Sequence, residues 1–434
     1  MCDEDLSQRH WLRTVSILLF FVCALSAPLC VSYSVLTHEE VVDLLWEHPI
    51  RDLLLQRFPD ATPENLRRAH AYAYGGCLIQ DMGYYPFGNR QFSDLVHYVR
   101  SGDFVEALIT ESADLNEYAF ALGALAHYAS DVSGHPAINH AVSLRFPKLR
   151  KKYGESVTFA QDPKAHIRTE FGFDVTQVAK NRFASDAYHD FIGFEVSKPL
   201  LERAFKKNYG LELSDMFNDV DLAIGTYRRA ISSVIPEMTR VALLIKPADA
   251  VVETPGRNKK RFLYHISRAQ YAKEWGRKFR TPGPGARILA FIFRLIPKIG
   301  PFKAMEFELP NTQTEDLFLK SINDTLDNYR LLMAGMKAGK TKLVNRDFDT
   351  GNETKAGEYK LTDDTYSTLL DRIAAKKFTS VSPELRDNIL SFYQDLHAPV
   401  STKRRADRWN NTLRELHQLQ EVKEAVTTVP SPSN

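Results

Sequence analysis

The chain has 434 residues, of which 44% are hydrophobic and 25% are charged. These fractions are typical of a globular protein, and the length suggests two or three domains. The formal net charge is only +2, so the overall charge balance gives no reason to expect a polyanionic partner.

The first 32 residues are typical of a targeting segment. Two arginines precede the apolar run "TVSILLFFVCALSA", which is short for a bilayer span but suits the apolar core of a signal peptide. The small residues of "CVS" predict cleavage after Ser32, so the mature, secreted or periplasmic chain would start at Tyr33. An uncleaved membrane anchor is the alternative. Cleavage would leave Cys77 as the single cysteine, and no intramolecular disulfide could form.

Helical periodicity dominates the next 200 residues, and there is little strand signal, so the predicted fold class is all-α. Thr37 is a candidate N-cap for "THEEVVDLLW", and Pro63 lies in the first turn of "TPENLRRAHAYAYGG". Asp162 and Pro163 form a similar start for "DPKAHIRTEF". The segment "DLNEYAFALGALAHYASD" is apolar nearly all round, which predicts a buried helix. "LSDMFNDVDLAIGTYRRAISSVIPEMTRVALL" predicts one long helix, bent at Pro236.

The character of the sequence changes near residue 250, where a linker-like stretch begins. We therefore predict one domain over residues 33–250 and a C-terminal helical region of unknown role over 251–434. The latter contains the amphipathic segment "TEDLFLKSINDTLDNYRLLMAGM" and a polar loop over residues 338–362. Residues 286–304, "ARILAFIFRLIPKIGPFKA", combine an apolar face with basic residues, which predicts peripheral membrane contact. A buried helix or hairpin of the second domain is the alternative.

Histidines and carboxylates recur at a spacing of four residues. In "HYASD", a helix places His127 and Asp131 on one face, and His135 follows four residues later. "HIRTE" places His166 and Glu170 in the same way. Imidazole nitrogen and carboxylate oxygen suit zinc outside thiolate sites. Each pair alone has a structural alternative, namely a surface helix pair for "HIRTE" and a buried His–Asp hydrogen bond for "HYASD".

Taken together, these motifs resemble the superfamily of zinc-dependent phospholipases C and zinc-dependent single-strand nucleases. That superfamily has H-x-x-x-D on a buried helix, a further histidine soon after, and H-x-x-x-E or H-x-x-x-D on a later helix. Its upstream aspartate and histidine are matched by Asp81 and His97 in "GGCLIQDMGYYPFGNRQFSDLVHYVR", and its N-terminal histidine by His38 in "YSVLTHEEV". The resemblance implies a multi-helix bundle of this type, with an additional C-terminal helical region.

The resemblance also implies a cofactor of up to three zinc ions, with Asp81 both binding zinc and orienting or deprotonating the attacking water. In the nuclease branch a tryptophan starts the mature chain five positions before the first histidine, where this chain has Tyr33. The implied ligands are Asp81, His97, His127 and Asp131 for one ion, His135, His166 and Glu170 for a second, and His38, the bridging Asp131 and the amine and carbonyl of Tyr33 for a third.

The spacing from Asp131 to His135 differs from that of the secreted bacterial phospholipases C. It resembles the D-V-S-x-H form in the amino-terminal region of glycosylphosphatidylinositol-specific phospholipase D. We therefore expect a locally different backbone at the second site, and His140 is an alternative ligand to His135.

The implied activity is that of a secreted zinc-dependent phosphodiesterase that hydrolyses phospholipid headgroup esters or another phosphodiester. Tyr84, Tyr85 and Phe87 follow Asp81 closely and are predicted to line the substrate site, since aromatic rings bind a choline ammonium through cation–π attraction. Packing in the core is the alternative for each ring. Two other functions stay open: a single-strand nuclease or nucleotidase using the same cluster, and a non-catalytic, metal-braced module that binds a membrane or a partner. No stable nucleic-acid complex is expected.

Overall fold

The computed structural model describes residues 35–180, 193–235, 239, 307–340 and 342–422, and the predicted all-α fold is confirmed. The described α-helices are α1 Val35–Leu45, α2 Arg51–Arg57, α3 Pro63–Gly76, α4 Arg90–Tyr98, α5 Ser101–Glu111, α6 Leu115–Arg145, α7 Pro147–Tyr153, α8 Pro163–Ala179, α9 Lys198–Tyr209, α10 Val220–Arg229, α11 Thr312–Lys337, α12 Lys360–Ala375, α13 Pro383–Phe392 and α14 Ala406–Glu421.

Several sequence predictions fall outside the residues that the structure describes. These are the signal peptide over residues 1–32, Tyr33, the bend at Pro236 and the segment 286–304. Among the helices that are described, none has the length and apolar character that crossing a bilayer requires.

Helix α6 lies at the centre of the molecule and is 31 residues long. The Asp114 side chain caps its start by accepting a hydrogen bond from the Glu117 backbone N–H at 2.9 Å. The predicted burial of this helix is confirmed, since His127 and Asp131 are fully buried along with its apolar side chains. Helix α6 continues through His135 and Pro136, and the expectation that the backbone at the second site differs from that of the secreted bacterial phospholipases C stays a prediction.

Helices α3 and α6 pack against each other with their backbones in close contact. A Cβ atom on Gly123 of α6 would lie 2.0 Å from the Ala73 carbonyl oxygen, and one on Gly76 of α3 would lie 1.9 Å from the Phe120 carbonyl oxygen. No real side chain fits at such distances. The two glycines therefore set the separation of the two helices.

The starts of two helices are as predicted. The Thr62 hydroxyl accepts from the Asn65 N–H at 3.2 Å, ahead of Pro63 in α3. Asp162 accepts from the Ala165 N–H at 2.9 Å, ahead of Pro163 in α8. Both caps use local side chains, which a sequence reveals directly.

Two other predictions of helix starts are wrong. Thr37 is not an N-cap, because it lies within α1 and its hydroxyl donates to Asp174 on α8 at 2.7 Å. The long helix predicted over residues 213–244 does not begin at residue 213, because α10 begins at Val220. A short 3₁₀ segment, Leu213–Asp215, comes first, and Asp219 then caps α10.

The described residues after 306 share one hydrophobic core with those before 236. The Tyr329 hydroxyl of α11 donates to the Leu122 carbonyl of α6 at 2.7 Å. The rings of Phe173 and Phe318 stack with centroids 4.5 Å apart. The predicted polar loop lies between α11 and α12, and its described residues include an isolated antiparallel bridge between Arg346 and Glu353. The domain boundary near residue 250 stays a prediction. The described helices on its two sides pack against each other.

The contact between α3 and α6 generates a stability prediction. Gly123→Ala should lower the free energy of unfolding by about 1–3 kcal/mol, because the added methyl group overlaps the Ala73 carbonyl. Gly225→Ala, with no atom near the added methyl group, should instead raise it by about 0.5–1 kcal/mol. Urea denaturation followed by circular dichroism measures both, and equal stabilities of the two variants would contradict the close-contact interpretation.

Candidate metal centre

Four side chains from three elements converge at the first predicted zinc site. Asp81 comes from the 3₁₀ segment Ile79–Tyr84, His97 from the last turn of α4, and His127 and Asp131 from α6. All four are 2% exposed or less. Ligand atoms of Asp81, His97 and His127 lie within 4.8 Å of one another, and so do those of His38, His127 and Asp131.

Backbone carbonyls determine which nitrogen of each imidazole can bind a metal. The Nδ1 atom of His97 lies 2.7 Å from the Ser93 carbonyl, and that of His127 lies 2.9 Å from the Cys77 carbonyl. Because a carbonyl can only accept, both Nδ1 atoms carry a proton, and in the neutral rings both Nε2 atoms have a free lone pair. These Nε2 atoms lie 3.4 Å apart. Two converging lone pairs of this kind fit a shared cation.

The distances between ligand atoms fit a zinc coordination shell. Tetrahedral ligands at zinc's usual bond lengths of about 2.0–2.2 Å are separated by roughly 3.3–3.6 Å. The His97 Nε2 atom lies 3.4 Å from Asp81 Oδ1 and 3.6 Å from Asp131 Oδ2. His127 Nε2 lies 3.0 Å from the same Asp131 oxygen. The buried oxygens of Asp81 accept no hydrogen bond from the described residues, so this carboxylate is suited to a metal.

His38 reaches the opposite oxygen of Asp131, with Nε2 3.5 Å from Oδ1. Its ring stacks on that of His127 with centroids 4.4 Å apart. The residues just before His38 are held by Asp174 on α8, whose carboxylate accepts hydrogen bonds from the Leu36 N–H at 3.0 Å and from the Thr37 hydroxyl. Asp131 therefore has histidines near both of its oxygens, as expected for a bridging carboxylate.

The second predicted set is less closely gathered. His166 donates from Nε2 to the Val157 carbonyl at 2.5 Å, and its Nδ1 lies 3.3 Å from Glu170 Oε1. The rings of His135 and His166 are farther apart, with centroids separated by 6.3 Å. The ligand atoms of His135, His166 and Glu170 do not all lie within 4.8 Å of one another, unlike those of the two groups described above. The structure thus brings together one pair of this set and places His135 next to it.

Helix geometry explains why His135 belongs to a different set from His127. Eight residues of α-helix advance about 12 Å and turn about 80° beyond two full circles. His127 and His135 therefore cannot bind the same ion, although they share α6. The alternative ligand His140 lies elsewhere, since its side chain is 36% exposed and its Nδ1 contacts the Glu155 carbonyl at 2.9 Å.

The electrostatics of the centre favour a bound cation. Burial lowers the pKa of His166 to about 4, so that the ring is neutral at physiological pH. Burial would also lower the pKa of His97, but the Asp81 and Asp131 carboxylates outweigh it and raise that pKa to about 9. Burial, with Asp131 and other acidic neighbours, raises the pKa of Glu170. The carboxylates that favour a proton here would favour a metal ion in the same way, because metal binding displaces protons from its ligands.

The three aromatic residues predicted to line the substrate site have different surroundings. Tyr84 and Tyr85 are buried, and the Tyr85 ring packs edge-on against Tyr227 with centroids 5.2 Å apart. Phe87 has a positive φ of 61° and a side chain that is 64% exposed. Burial favours the core-packing alternative for the two tyrosines. A substrate contact stays a prediction for all three.

The polar loop brings to the centre two residues that the sequence motifs did not indicate. The Phe348 ring packs against His97 and His127, with centroids 5.2 and 6.1 Å away. Asp349 is buried, and its Oδ1 lies 3.3 Å from His135 Nδ1. The one signal in the sequence was "RDFDTGN", where a large apolar residue lies between two acidic ones in a polar stretch.

Comparisons with known proteins support the zinc ligands that the sequence motifs predict, but they do not extend to the polar loop. Residues 37–219 match a family model described as "Zinc dependent phospholipase C". The matched range contains every histidine and carboxylate predicted to bind zinc, and it ends before Asp349. No curated protein and no solved structure matches the chain significantly.

The geometry predicts which substitutions remove metal. Asp131→Asn should lower the zinc content of the purified, zinc-loaded protein, because Asp131 lies between His38 and the His97–His127 pair. His140→Ala is the matched control and should keep the parental zinc content, since His140 lies outside the centre. Atomic emission measures zinc, with circular dichroism to confirm folding. A folded Asp131→Asn protein with full zinc content would contradict the assignment.

Proposed function

We propose that this chain, whose residues 37–219 match the family model of zinc-dependent phospholipases C, is a secreted phosphodiesterase with a trinuclear zinc cluster. Its proposed reaction is the hydrolysis of phospholipid headgroup esters. The observation that carries this proposal is the convergence of His97 Nε2 and His127 Nε2 on Asp81 and Asp131, with both Nδ1 atoms held by backbone carbonyls.

The residues fit the cofactor, because buried imidazole nitrogens and carboxylate oxygens at these separations are the donor set of a zinc site. Bound zinc would supply Lewis-acid polarisation of the phosphodiester and acidify water at neutral pH. Asp81 is the proposed general base. Its carboxylate is buried, accepts no hydrogen bond from the described residues, and lies 3.4 Å from His97. It can therefore orient a water molecule and accept its proton.

Backbone contacts keep these groups in a reactive arrangement. The Ser93 and Cys77 carbonyls hold the imidazole rings of His97 and His127 in one tautomer and one orientation. Since α3 and α6 pack without intervening side chains at Gly76 and Gly123, the Cys77 carbonyl stays fixed relative to His127. The protein thus contributes positioning and charge, which are the main requirements of phosphoryl chemistry.

The substrate class is tested with the zinc-loaded protein on two substrates. We expect release of phosphorylated headgroup from phosphatidylcholine vesicles and little hydrolysis of single-stranded DNA. Asp81→Asn should lower the headgroup release by at least about 10²–10⁴-fold, because the variant lacks the base. Asp221→Asn is the control, since Asp221 is exposed and forms an ion pair with Lys198 at the surface; it should be as active as the parent.

Each other outcome has a definite meaning. Faster hydrolysis of single-stranded DNA than of the lipid would replace the phospholipase proposal by the nuclease alternative. A zinc-loaded protein that is inert on both substrates would favour the non-catalytic, metal-braced module.

The third zinc ion depends on the position of the mature N-terminus. We expect mass spectrometry of the secreted protein to find Tyr33 as the first residue, because the resemblance to the nuclease branch implies a free amine five positions before His38, acting with it on one ion. An amine at another position would remove the third site while leaving the other two. Retention of residues 1–32 in the exported protein would count against both cleavage and the trinuclear cluster.

A further inference from the structure

Asp349 is presented to the metal centre by a tightly held loop between α11 and α12. The Phe348 N–H donates to the His97 carbonyl at 3.3 Å, and Asn139 of α6 donates to the Asp349 carbonyl at 2.7 Å. The Asp347 side chain accepts from the Asp349 N–H at 3.0 Å. These bonds tie the loop to α4 and α6, the helices that carry predicted ligands. The position of Asp349 is therefore fixed from several directions.

The Asp349 carboxylate is oriented like a metal ligand. Its Oδ2 atom accepts from the Tyr98 hydroxyl at 3.1 Å and from the Tyr359 hydroxyl. Its Oδ1 atom lies 3.3 Å from His135 Nδ1. No lysine or arginine among the described residues comes within ion-pair distance of it. Hydrogen bonds to one oxygen thus leave the other directed at an imidazole, which is how outer residues orient a ligating carboxylate.

The other histidines of the centre show which role this carboxylate has. In His97, His127 and His166, a backbone carbonyl holds one ring nitrogen, and a carboxylate lies 3.0–3.4 Å from the other nitrogen. The carboxylates thus lie on the metal side of each ring. His135 Nδ1 lies 3.3 Å from Asp349 Oδ1, which is within the same range of distances. This contact is not a hydrogen bond, because neither ring nitrogen of His135 forms one with the described residues.

We propose that Asp349 is a zinc ligand of the second site, acting through Oδ1 beside His135. The proposal rests on the proposed function, because it assumes that zinc binds this centre. It extends the ligand set beyond residues 37–219 to a segment that the family model does not match. It also gives the C-terminal region a direct part in the metal centre.

Diffraction at the zinc absorption edge tests this on the unmodified, zinc-loaded protein. We expect a zinc ion about 2.0–2.2 Å from an Asp349 oxygen, which is the usual zinc–carboxylate bond length. A zinc ion bound only through His135, His166 and Glu170, with Asp349 more than about 3 Å away, would overturn the proposal. A protein that takes up no zinc would overturn it together with the proposed function.

Zinc content provides a second test that does not depend on activity. Asp349→Asn keeps an oxygen for the tyrosine hydroxyls but loses the charge, and should bind one zinc equivalent fewer than the parent. His135→Ala should lose the same equivalent, and the double variant should lose no more than either. Asp363→Asn is the control, because Asp363 is a buried carboxylate that accepts from the Gly357 and Ser401 N–H groups; it should keep the parental zinc content.

The results separate this inference from the proposed function. Full zinc content in folded Asp349→Asn would overturn the inference and leave the phosphodiesterase proposal intact. Loss of one equivalent by Asp349→Asn, in a parent inert on both substrates, would support the inference and contradict the phosphodiesterase proposal.

Discussion

The structure depends on how the protein keeps several carboxylates inside its core. Asp81, Asp131, Glu170 and Asp349 are all buried, and an ionised carboxylate without a cationic partner is expensive to bury. Around Asp81, Glu170 and Asp349, the described residues provide histidine but no lysine or arginine within ion-pair distance. Burial keeps His166 neutral, so this ring does not compensate a charge on Glu170, whereas Asp81 and Asp131 raise the pKa of His97 to about 9. A proton on His97 can therefore offset only part of the negative charge. Divalent cations can offset more, and the helices around α6 bring carboxylates and imidazole nitrogens to the same place.

Holding such groups in register requires a rigid framework, and the contact of α3 with α6 provides it. Cys77 follows directly after α3, and its carbonyl accepts from His127 on α6. If the two helices moved apart by even an ångström, this hydrogen bond would break and the ring of His127 could change tautomer. The two glycines that permit close packing therefore also determine which nitrogen of His127 is available for metal. In this protein, core packing and metal chemistry are parts of one geometric requirement.

What could be predicted from the sequence depended on local spacing. The pairs His127–Asp131 and His166–Glu170, together with the helix starts at Pro63 and Asp162, involve residues only a few positions apart, and the structure contains them as predicted. The family resemblance supplied the distant contact of Asp81 and His97 with His127, but other contacts between distant segments were mispredicted or missed. The Thr37 hydroxyl bonds a carboxylate on α8 rather than capping its own helix. Asp349 lies in a loop without periodicity, outside the motifs that carried the resemblance, so nothing local indicated its contact with His135.

The loop that carries Asp349 links metal binding to the packing of the whole chain. Phe348 packs on His97 and His127, and the neighbouring helix α11 lies against α6. On the proposed ligand set, the ions join α1, α4, α6, α8 and this loop. A cation that binds only when these elements are together stabilises that assembly by its binding free energy. Because Cys77 is buried and unpaired, no disulfide among the described residues does this work. On this ligand set, the metal would add a cross-link to the shared hydrophobic core between the described residues on the two sides of the predicted boundary.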